Sequence, residues 1–262
     1  MARPLGEPLA PTRRSLLRAV PGAAAAYVVA GCHRERQDDH GTVDAVTDGR
    51  LAFRPPNTAV EQGRSGWLQV PLSGGDPALA HVPQGTGPLR LVLLLHGAGG
   101  VAESALRLLQ EQADERRLLL VALKSVAATW DVIAGGFGPD VRRTDELLGW
   151  VASRYPVDGW TVAGFSDGAS YALTIGQTNG DVFDSVVSFS PGFTAARARH
   201  GRPRIFVSHG VEDRVLPIER CSRRIVPALR DDGYDVTYRE FAGGHSVPPA
   251  VRRVAVEWLG RG

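Results

Sequence analysis

From about residue 67 onward, the chain alternates short apolar runs with longer amphipathic segments. Runs of strand length predict β-strands at residues 67–72, 79–83, 89–95, 118–123, 160–163, 183–189, 205–208 and 236–241. Apolar positions at helical spacing predict helices at residues 102–116, 140–155, 169–177, 217–231 and 247–259. The run from Leu89 to Leu95 is almost continuously apolar, which is typical of a central strand covered on both faces.

This alternation predicts an α/β fold with a mainly parallel central sheet and helices on both faces. The first two strands are separated by the turn-forming sequence Ser73-Gly74-Gly75-Asp76-Pro77, so we expect an antiparallel hairpin at one edge of the sheet. Only residues 191–203 lie between the strand that ends near Ser190 and the next strand. That segment is too short for a helical lid, and we expect no large cap domain.

The N-terminal segment has the pattern of an export signal. Arg13 and Arg14 precede an alanine-rich apolar stretch of residues 19–30, which is too short to span a bilayer as a helix. The sequence then reaches Cys32 through Val-Ala-Gly, an arrangement that resembles the lipobox of bacterial lipoproteins. We therefore expect residues 1–31 to be a twin-arginine, lipoprotein-type signal peptide. Cys32 would carry lipid and attach the exported protein to the outer face of the cell membrane; in the alternative, a plain secretory signal or an uncleaved anchor, Cys32 is incidental.

Composition divides the remainder into two parts. Residues 32–66 mix charged residues with Gly and Pro, which predicts a flexible tether, and residues 67–262 hold the predicted α/β domain. The formal net charge of the whole chain is +2, but the first 31 residues contain four arginines and one acid. The rest is therefore close to neutral, which argues against nucleic acid as a partner.

The sequence Gly164-Phe165-Ser166-Asp167-Gly168 has the pattern of a nucleophile elbow. It follows a predicted strand and precedes a predicted helix, the context in which a sharp turn presents a serine hydroxyl. The flanking glycines allow strand and helix to approach closely. A surface loop that happens to contain glycines is the alternative, but the elements on both sides favour the elbow, with Ser166 as nucleophile.

A serine nucleophile needs a general base and a group that orients the base. In proteins with such an elbow, the acid and the histidine follow the serine along the chain. Asp213 follows the strand that ends near residue 208 and is the predicted acid, with the neighbouring Glu212 as the alternative. Of the seven histidines, only His245 follows both the serine and the acid, and it is the predicted base.

Acyl transfer also needs hydrogen-bond donors for the developing oxyanion. We assign these to the backbone amides of Ala98, in the loop after the first central strand, and of Asp167, directly after the nucleophile. A glycine-rich loop such as residues 96–100 can also bind phosphate, but it has no lysine and no Gly-Lys-Ser/Thr ending. Trp130 and Phe137, in the predicted 125–140 loop, are candidate walls of the substrate pocket, with core packing as the alternative.

Together, Leu95–Gly97, Gly164–Gly168, His209-Gly210 with Asp213, and Gly244-His245 resemble motifs of the α/β-hydrolase superfamily. More narrowly, they resemble its phospholipase/carboxylesterase branch, which includes acyl-protein thioesterases, and its feruloyl-esterase and polyhydroxybutyrate-depolymerase-like relatives. The resemblance implies hydrolysis of a small carboxylic ester or thioester through an acyl-enzyme, without cofactor or metal. One departure is Asp167, where the thioesterases often have Gln. A serine peptidase on the same fold and a catalytically inactive binding protein remain alternatives.

Overall fold

A computed structural model describes residues 48–56 and 60–261, which form an eight-stranded sheet with helices on both faces. The strands are β1 (Gly66–Val70), β2 (Ala78–Val82), β3 (Leu89–Leu95), β4 (Leu118–Ala122), β5 (Val157–Phe165), β6 (Ser185–Phe189), β7 (Arg204–Gly210) and β8 (Val236–Phe241). The α-helices are α1 (Ala102–Leu106), α2 (Pro139–Ala152), α3 (Asp167–Thr178), α4 (Ser222–Asp231) and α5 (Pro249–Leu259).

The strand order is β1-β2-β4-β3-β5-β6-β7-β8. Strands β3 to β8 run parallel to one another, whereas β1 and β2 form an antiparallel hairpin that joins the sheet through β4. This arrangement confirms the predicted mainly parallel sheet with its edge hairpin. Residues 190–203, between β6 and β7, contain no helix.

Side chains of the central strands alternate between two apolar layers. In β3, Leu91, Leu93 and Leu95 pack into the layer that holds α2, α3 and α4, whereas Val92 and Leu94 pack against α1 and α5. Both layers bury their strand residues almost completely. The near-continuous apolar pattern of β3 thus follows from helices that cover it on both sides.

The predicted helix at residues 102–116 is wrong for most of its length. Helix α1 ends at Leu106, and a single 3₁₀ turn covers Gln110–Gln112. Leu109 has φ −129° and ψ 5°, outside helical geometry, and its side chain is fully buried. Tertiary packing of the apolar residues in this segment therefore overrides their helical propensity.

The predicted flexible tether of residues 32–66 is wrong for residues 48–56, which dock onto the catalytic domain. Leu51 is 1% exposed, and its amide donates to the side chain of Asn179 at 2.9 Å. Arg50 pairs through both terminal nitrogens with Asp181, and this guanidinium lowers the pKa of Asp181 to about 2. The ring of Phe53 lies 4.9 Å from that of Trp160. Leu51 and Arg50 thus anchor the segment through apolar burial and an ion pair. The mixed composition of residues 32–66 gave no sign of these contacts.

The predicted signal peptide, its Arg13-Arg14 pair and the predicted lipid site at Cys32 lie outside the described residues. Within residues 48–56 and 60–261, none of the helices has both the length and the apolar content needed to cross a membrane.

Candidate active site

Ser166 lies in the sharp turn between β5 and α3. Its backbone has φ 58° and ψ −119°, a positive φ that residues with a Cβ rarely adopt. The flanking glycines are required by close approach: a Cβ on Gly164 would lie 2.2 Å from the carbonyl oxygen of Gly168, and one on Gly168 would lie 2.2 Å from that of Leu95. The turn thus has the geometry predicted for a nucleophile elbow.

His245 contacts the hydroxyl of Ser166. It lies in the loop after β8, and the Ser166 hydroxyl donates to its Nε2 at 2.9 Å. The imidazole is further held by the ring of Phe165, whose centroid lies 4.7 Å away. The strand order places the carboxyl end of β8 at the same edge of the sheet as the elbow, and the loop of residues 242–248 spans the remaining distance.

Asp213 accepts a hydrogen bond from the other ring nitrogen of His245. Nδ1 of His245 donates to Oδ2 of Asp213 at 2.6 Å, while Oδ1 accepts the amides of Val215 and Leu216 at 2.9 and 2.8 Å. Burial raises the pKa of Asp213, but these hydrogen bonds and the positive potential of His245 outweigh burial, and the net pKa lies below its ordinary value. Asp213 is therefore a carboxylate at neutral pH.

Glu212 and His209, the two ionisable residues near Asp213, differ in their exposure to solvent. The side chain of Glu212 is exposed to solvent, as expected for its alternative role as a surface charge. His209 is fully buried: Nε2 donates to the carbonyl of Leu216 at 2.8 Å and lies 3.3 Å from Oδ2 of Asp213, and Nδ1 accepts from Ser222 at 2.7 Å. Burial lowers the pKa of His209, so it is neutral. The sequence analysis did not predict this contact of His209 with Asp213.

Ala98 lies in the loop that follows β3, and Asp167 is the first residue of α3. No described residue accepts a hydrogen bond from either backbone amide, which leaves both donors available. A Cβ on Gly97 would lie 3.3 Å from the Cβ of Ser166, so this loop passes directly beside the nucleophile. The site therefore combines a hydroxyl, an imidazole, a buried carboxylate and two available amides.

The segment 125–130 supports this loop, a role that sequence reasoning missed. The amide of Ser125 donates to Nε2 of His96 at 3.0 Å, and the amide of Gly99 donates to the carbonyl of Ala128 at 2.7 Å. The hydroxyl of Thr129 donates to the carboxylate of Asp167 at 2.6 Å. One segment thus fixes both the loop of Ala98 and the residue after the nucleophile. Neither the apolar pattern nor a motif marks these contacts.

The predicted pocket role of Trp130 is wrong. Trp130 is 0% exposed; its indole nitrogen donates to the carbonyl of His96 at 2.8 Å, and its ring stacks on Tyr171 at 5.1 Å. Phe137 packs against the core and lies over Gly49, where an added Cβ would be 2.7 Å from its ring. Both rings serve in packing, the alternative considered for them, and Trp130 cannot contact a substrate because none of its surface is accessible.

Among the described residues, no cluster of three or more His, Cys, Asp or Glu side chains is arranged to hold a metal ion. What the site offers is acyl-transfer chemistry. The hydroxyl can lose its proton to His245 during attack on a carbonyl carbon, and the two amides can stabilise the negative oxygen that forms.

Comparison with known proteins gives one family match. The model of the Esterase family, described as "Putative esterase", matches residues 143–214, which include Ser166 and Asp213. A comparison with curated protein sequences finds no significant match.

Solved structures of similar fold are numerous. Esterase PE8 has a TM-score of 0.59 and 23% identity, with 73% of this chain and 99% of that chain covered. The carboxylesterase of Bacillus cereus has a TM-score of 0.56 and 20% identity, and the match covers 70% of this chain and 93% of the carboxylesterase. The fluorophosphonate-binding serine hydrolase F of Staphylococcus aureus has a TM-score of 0.57 and 15% identity, and the match covers 75% of this chain and 97% of the hydrolase. These comparisons confirm the α/β-hydrolase fold of the chain and the resemblance to the carboxylesterase branch that its motifs indicated.

Proposed function

We propose that this chain is a serine hydrolase that cleaves carboxylic esters through an acyl-enzyme. The observation that carries the proposal is the continuous hydrogen-bonded path from Ser166 through His245 to Asp213. The match to the esterase family and the likeness to carboxylesterase structures support the same chemistry.

In the first half of the reaction, Oγ of Ser166 attacks the carbonyl carbon of the ester while its proton passes to Nε2 of His245. The carbonyl oxygen becomes an oxyanion that the amides of Ala98 and Asp167 stabilise. The bond to the alcohol oxygen then breaks, and His245 returns the proton to that oxygen. Asp213 keeps the imidazole oriented and stabilises its charged form.

In the second half, a water molecule takes the place of the alcohol. It loses a proton to His245 as it attacks the acyl-enzyme, and the carboxylic acid leaves as Ser166 recovers its proton. The same steps apply to a thioester, whose leaving group is a thiol.

The carboxylate of Asp167, held by Thr129, adds negative charge beside the oxyanion donor and distinguishes this site from one with a neutral glutamine there.

The proposal is tested by labelling and hydrolysis with the full chain. A fluorophosphonate probe should label Ser166, identified by mass spectrometry of the peptide, and p-nitrophenyl acetate should be hydrolysed. Ser166→Ala should abolish both, with a loss in turnover on the order of 10⁶-fold by analogy with other catalytic triads. Ser153→Ala, an exposed serine at the end of α2, is the matched control and should retain both.

Labelling at another residue, or full hydrolysis by Ser166→Ala, would contradict the assignment. A labelled protein that hydrolyses no ester or thioester in a panel of acetyl, feruloyl and thioester substrates would indicate a different acyl or amide substrate.

We also propose, from the sequence, that the protein is exported through the twin-arginine route and anchored by lipid on Cys32. That route moves folded proteins, which suits a domain whose Cys221 is free. Cys32→Ser should move the protein from the membrane fraction to the soluble fraction, and replacement of Arg13 and Arg14 by Lys should retain it in the cytoplasm. An exported chain that still begins at residue 1 would refute the cleavage.

A further inference from the structure

A cleft of about 250 Å³ lies beside the nucleophile on the α1 face of the sheet. One wall is the loop of residues 96–100, which includes the oxyanion donor Ala98, and the other is formed by Ala105 and Leu108 of the α1 segment. Ser104 and Phe165, the residue before Ser166, complete the lining. The cleft therefore begins at the reacting centre, although none of its lining residues is one of the two aromatic residues that the sequence indicated.

The chemistry of the cleft favours an uncharged, apolar group. Its described lining includes no Asp, Glu, Lys or Arg, and the one imidazole, His96, is 2% exposed. Burial lowers the pKa of His96, so its ring is neutral. Leu108 and Phe165 are partly buried apolar side chains that pack against the core and keep exposed surface. An alkyl chain would cover that surface and would leave no charge unpaired.

The position of Phe165 indicates which part of the ester the cleft receives. The leaving group must take its proton from Nε2 of His245, so it leaves on the imidazole side of the site. The ring of Phe165 packs against that imidazole and also lines the cleft. His245 itself is not among the residues that line the cleft. We therefore assign the cleft to the acyl chain and the imidazole side of the site to the leaving group.

The volume limits the length of that chain. Pockets that hold drug-sized ligands are about 300–1,000 Å³, and this cleft is smaller. Its volume equals that of about eight water molecules at about 30 Å³ each. We propose that the cleft is the acyl-binding subsite of the enzyme, that it takes unbranched acyl chains of about eight carbons or fewer, and that Leu108 limits their length. This inference rests on the proposed function.

The test measures kcat/KM of the full chain on p-nitrophenyl esters of acyl length two to twelve carbons. Leu108→Ala removes about three carbon atoms from the wall, and each buried methylene is worth a factor of about four. We expect the optimum to move to longer chains by about two or three carbons, with at least about a tenfold rise in the ratio of longer to shorter esters. Leu68→Ala, a partly buried leucine of β1 that packs in the opposite layer, is the matched control and should keep the wild-type profile.

Ser104→Leu provides a second variant that removes no core side chain, because Ser104 is exposed and lines the same cleft. It should narrow the cleft and lower kcat/KM for six- and eight-carbon esters by about tenfold, from the loss of about two buried methylenes. The far-UV circular dichroism spectrum of each variant should match that of the wild type, which reports that the variant is folded.

The outcomes separate the two proposals. If the wild type hydrolyses esters but neither Leu108→Ala nor Ser104→Leu changes the chain-length profile, the subsite is wrong while the proposed function stands. A parallel series of acetate esters with lengthening alcohols tests the assignment to the acyl side, and a shift confined to that series would overturn it. If the wild type neither hydrolyses any ester nor reacts with a fluorophosphonate, the proposed function fails and the subsite fails with it.

Discussion

Replacing Ser166 with glycine would separate the backbone strain of the elbow from its chemistry. Ser166 has φ 58° and ψ −119°, and residues held in such sparsely populated regions cost about 1–3 kcal/mol. Glycine removes this cost but loses more conformational entropy on folding than alanine, by about 0.5–1 kcal/mol. The balance predicts that Ser166→Gly is more stable than Ser166→Ala by about 0.5–2 kcal/mol.

The comparison uses two variants that both lack the hydroxyl, so both should lose hydrolysis completely and only the backbone differs. Urea denaturation gives the free energy of unfolding, and a thermal scan gives a second measure. For a domain of this size, each kcal/mol corresponds to about 2–4 °C in Tm, so Ser166→Gly should melt about 1–8 °C above Ser166→Ala.

The control is Ala228→Gly, at an exposed position inside α4. There the backbone is helical, and glycine should lower the free energy of unfolding by about 0.5–1 kcal/mol. If Ala228→Gly shows this ordinary loss and Ser166→Gly is no more stable than Ser166→Ala, the elbow stores no strain and the reasoning is refuted.

Four further predictions concern the acid, the docked segment, its ion pair and the open site. Asp213→Asn should lower kcat by about 10⁴-fold, by analogy with serine protease triads, whereas an equal loss in Glu212→Gln would show that the acid was wrongly chosen. Leu51→Ala should lower the free energy of unfolding by about 2–5 kcal/mol in urea, and an unchanged midpoint would contradict docking. Because the pKa of Asp181 falls from 3.8 to about 2 on folding, its stabilisation is present above pH 3.8 and is lost as the pH falls toward 2. Asp181→Asn should therefore be less stable than wild type at neutral pH, and the gap should close in acid. Since residues 190–203 contain no helix, no lid covers the site there, and we expect no jump in kcat/KM above the micelle concentration of the substrate.

The strands could be predicted because their signal is local. The central strands are rich in apolar residues, and the prediction for β3 has the observed bounds. The elbow was equally accessible, since Gly164 and Gly168 are required by contacts within a few residues of Ser166 and with the adjacent strand. The order of serine, acid and histidine along the chain then left one histidine. The sequence alone could therefore predict the features that a motif and its flanking elements determine locally.

The errors arise where distant residues decide the structure. Trp130 lies in an irregular loop, and an aromatic residue in a loop can equally face solvent or the core. Its burial depends on the carbonyl of His96 and the ring of Tyr171, both more than thirty residues away. Leu51 docks because Asn179 accepts its amide. No periodicity along the chain records such partners, so the docked segment and the cleft beside Ser166 become visible only in the assembled fold.

The proposed catalytic site likewise combines residues that motifs mark with a supporting segment, residues 125–130, that no motif marks. Ser166, Asp213 and His245 come from the carboxyl ends of three parallel strands, which the sheet brings to one edge. A carboxylate at Asp167, beside an oxyanion donor, opposes the negative charge that acyl transfer creates. The hydroxyl of Thr129 donates to that carboxylate at 2.6 Å, and Gly99 is held by Ala128 in the same segment. The segment of residues 125–130 therefore holds both proposed oxyanion donors in place. It fixes the loop of Ala98, and it binds the side chain of Asp167 through a hydrogen bond. The proposed catalytic residues can be found from motifs, but the positions of their oxyanion donors depend on residues 125–130, which no motif marks.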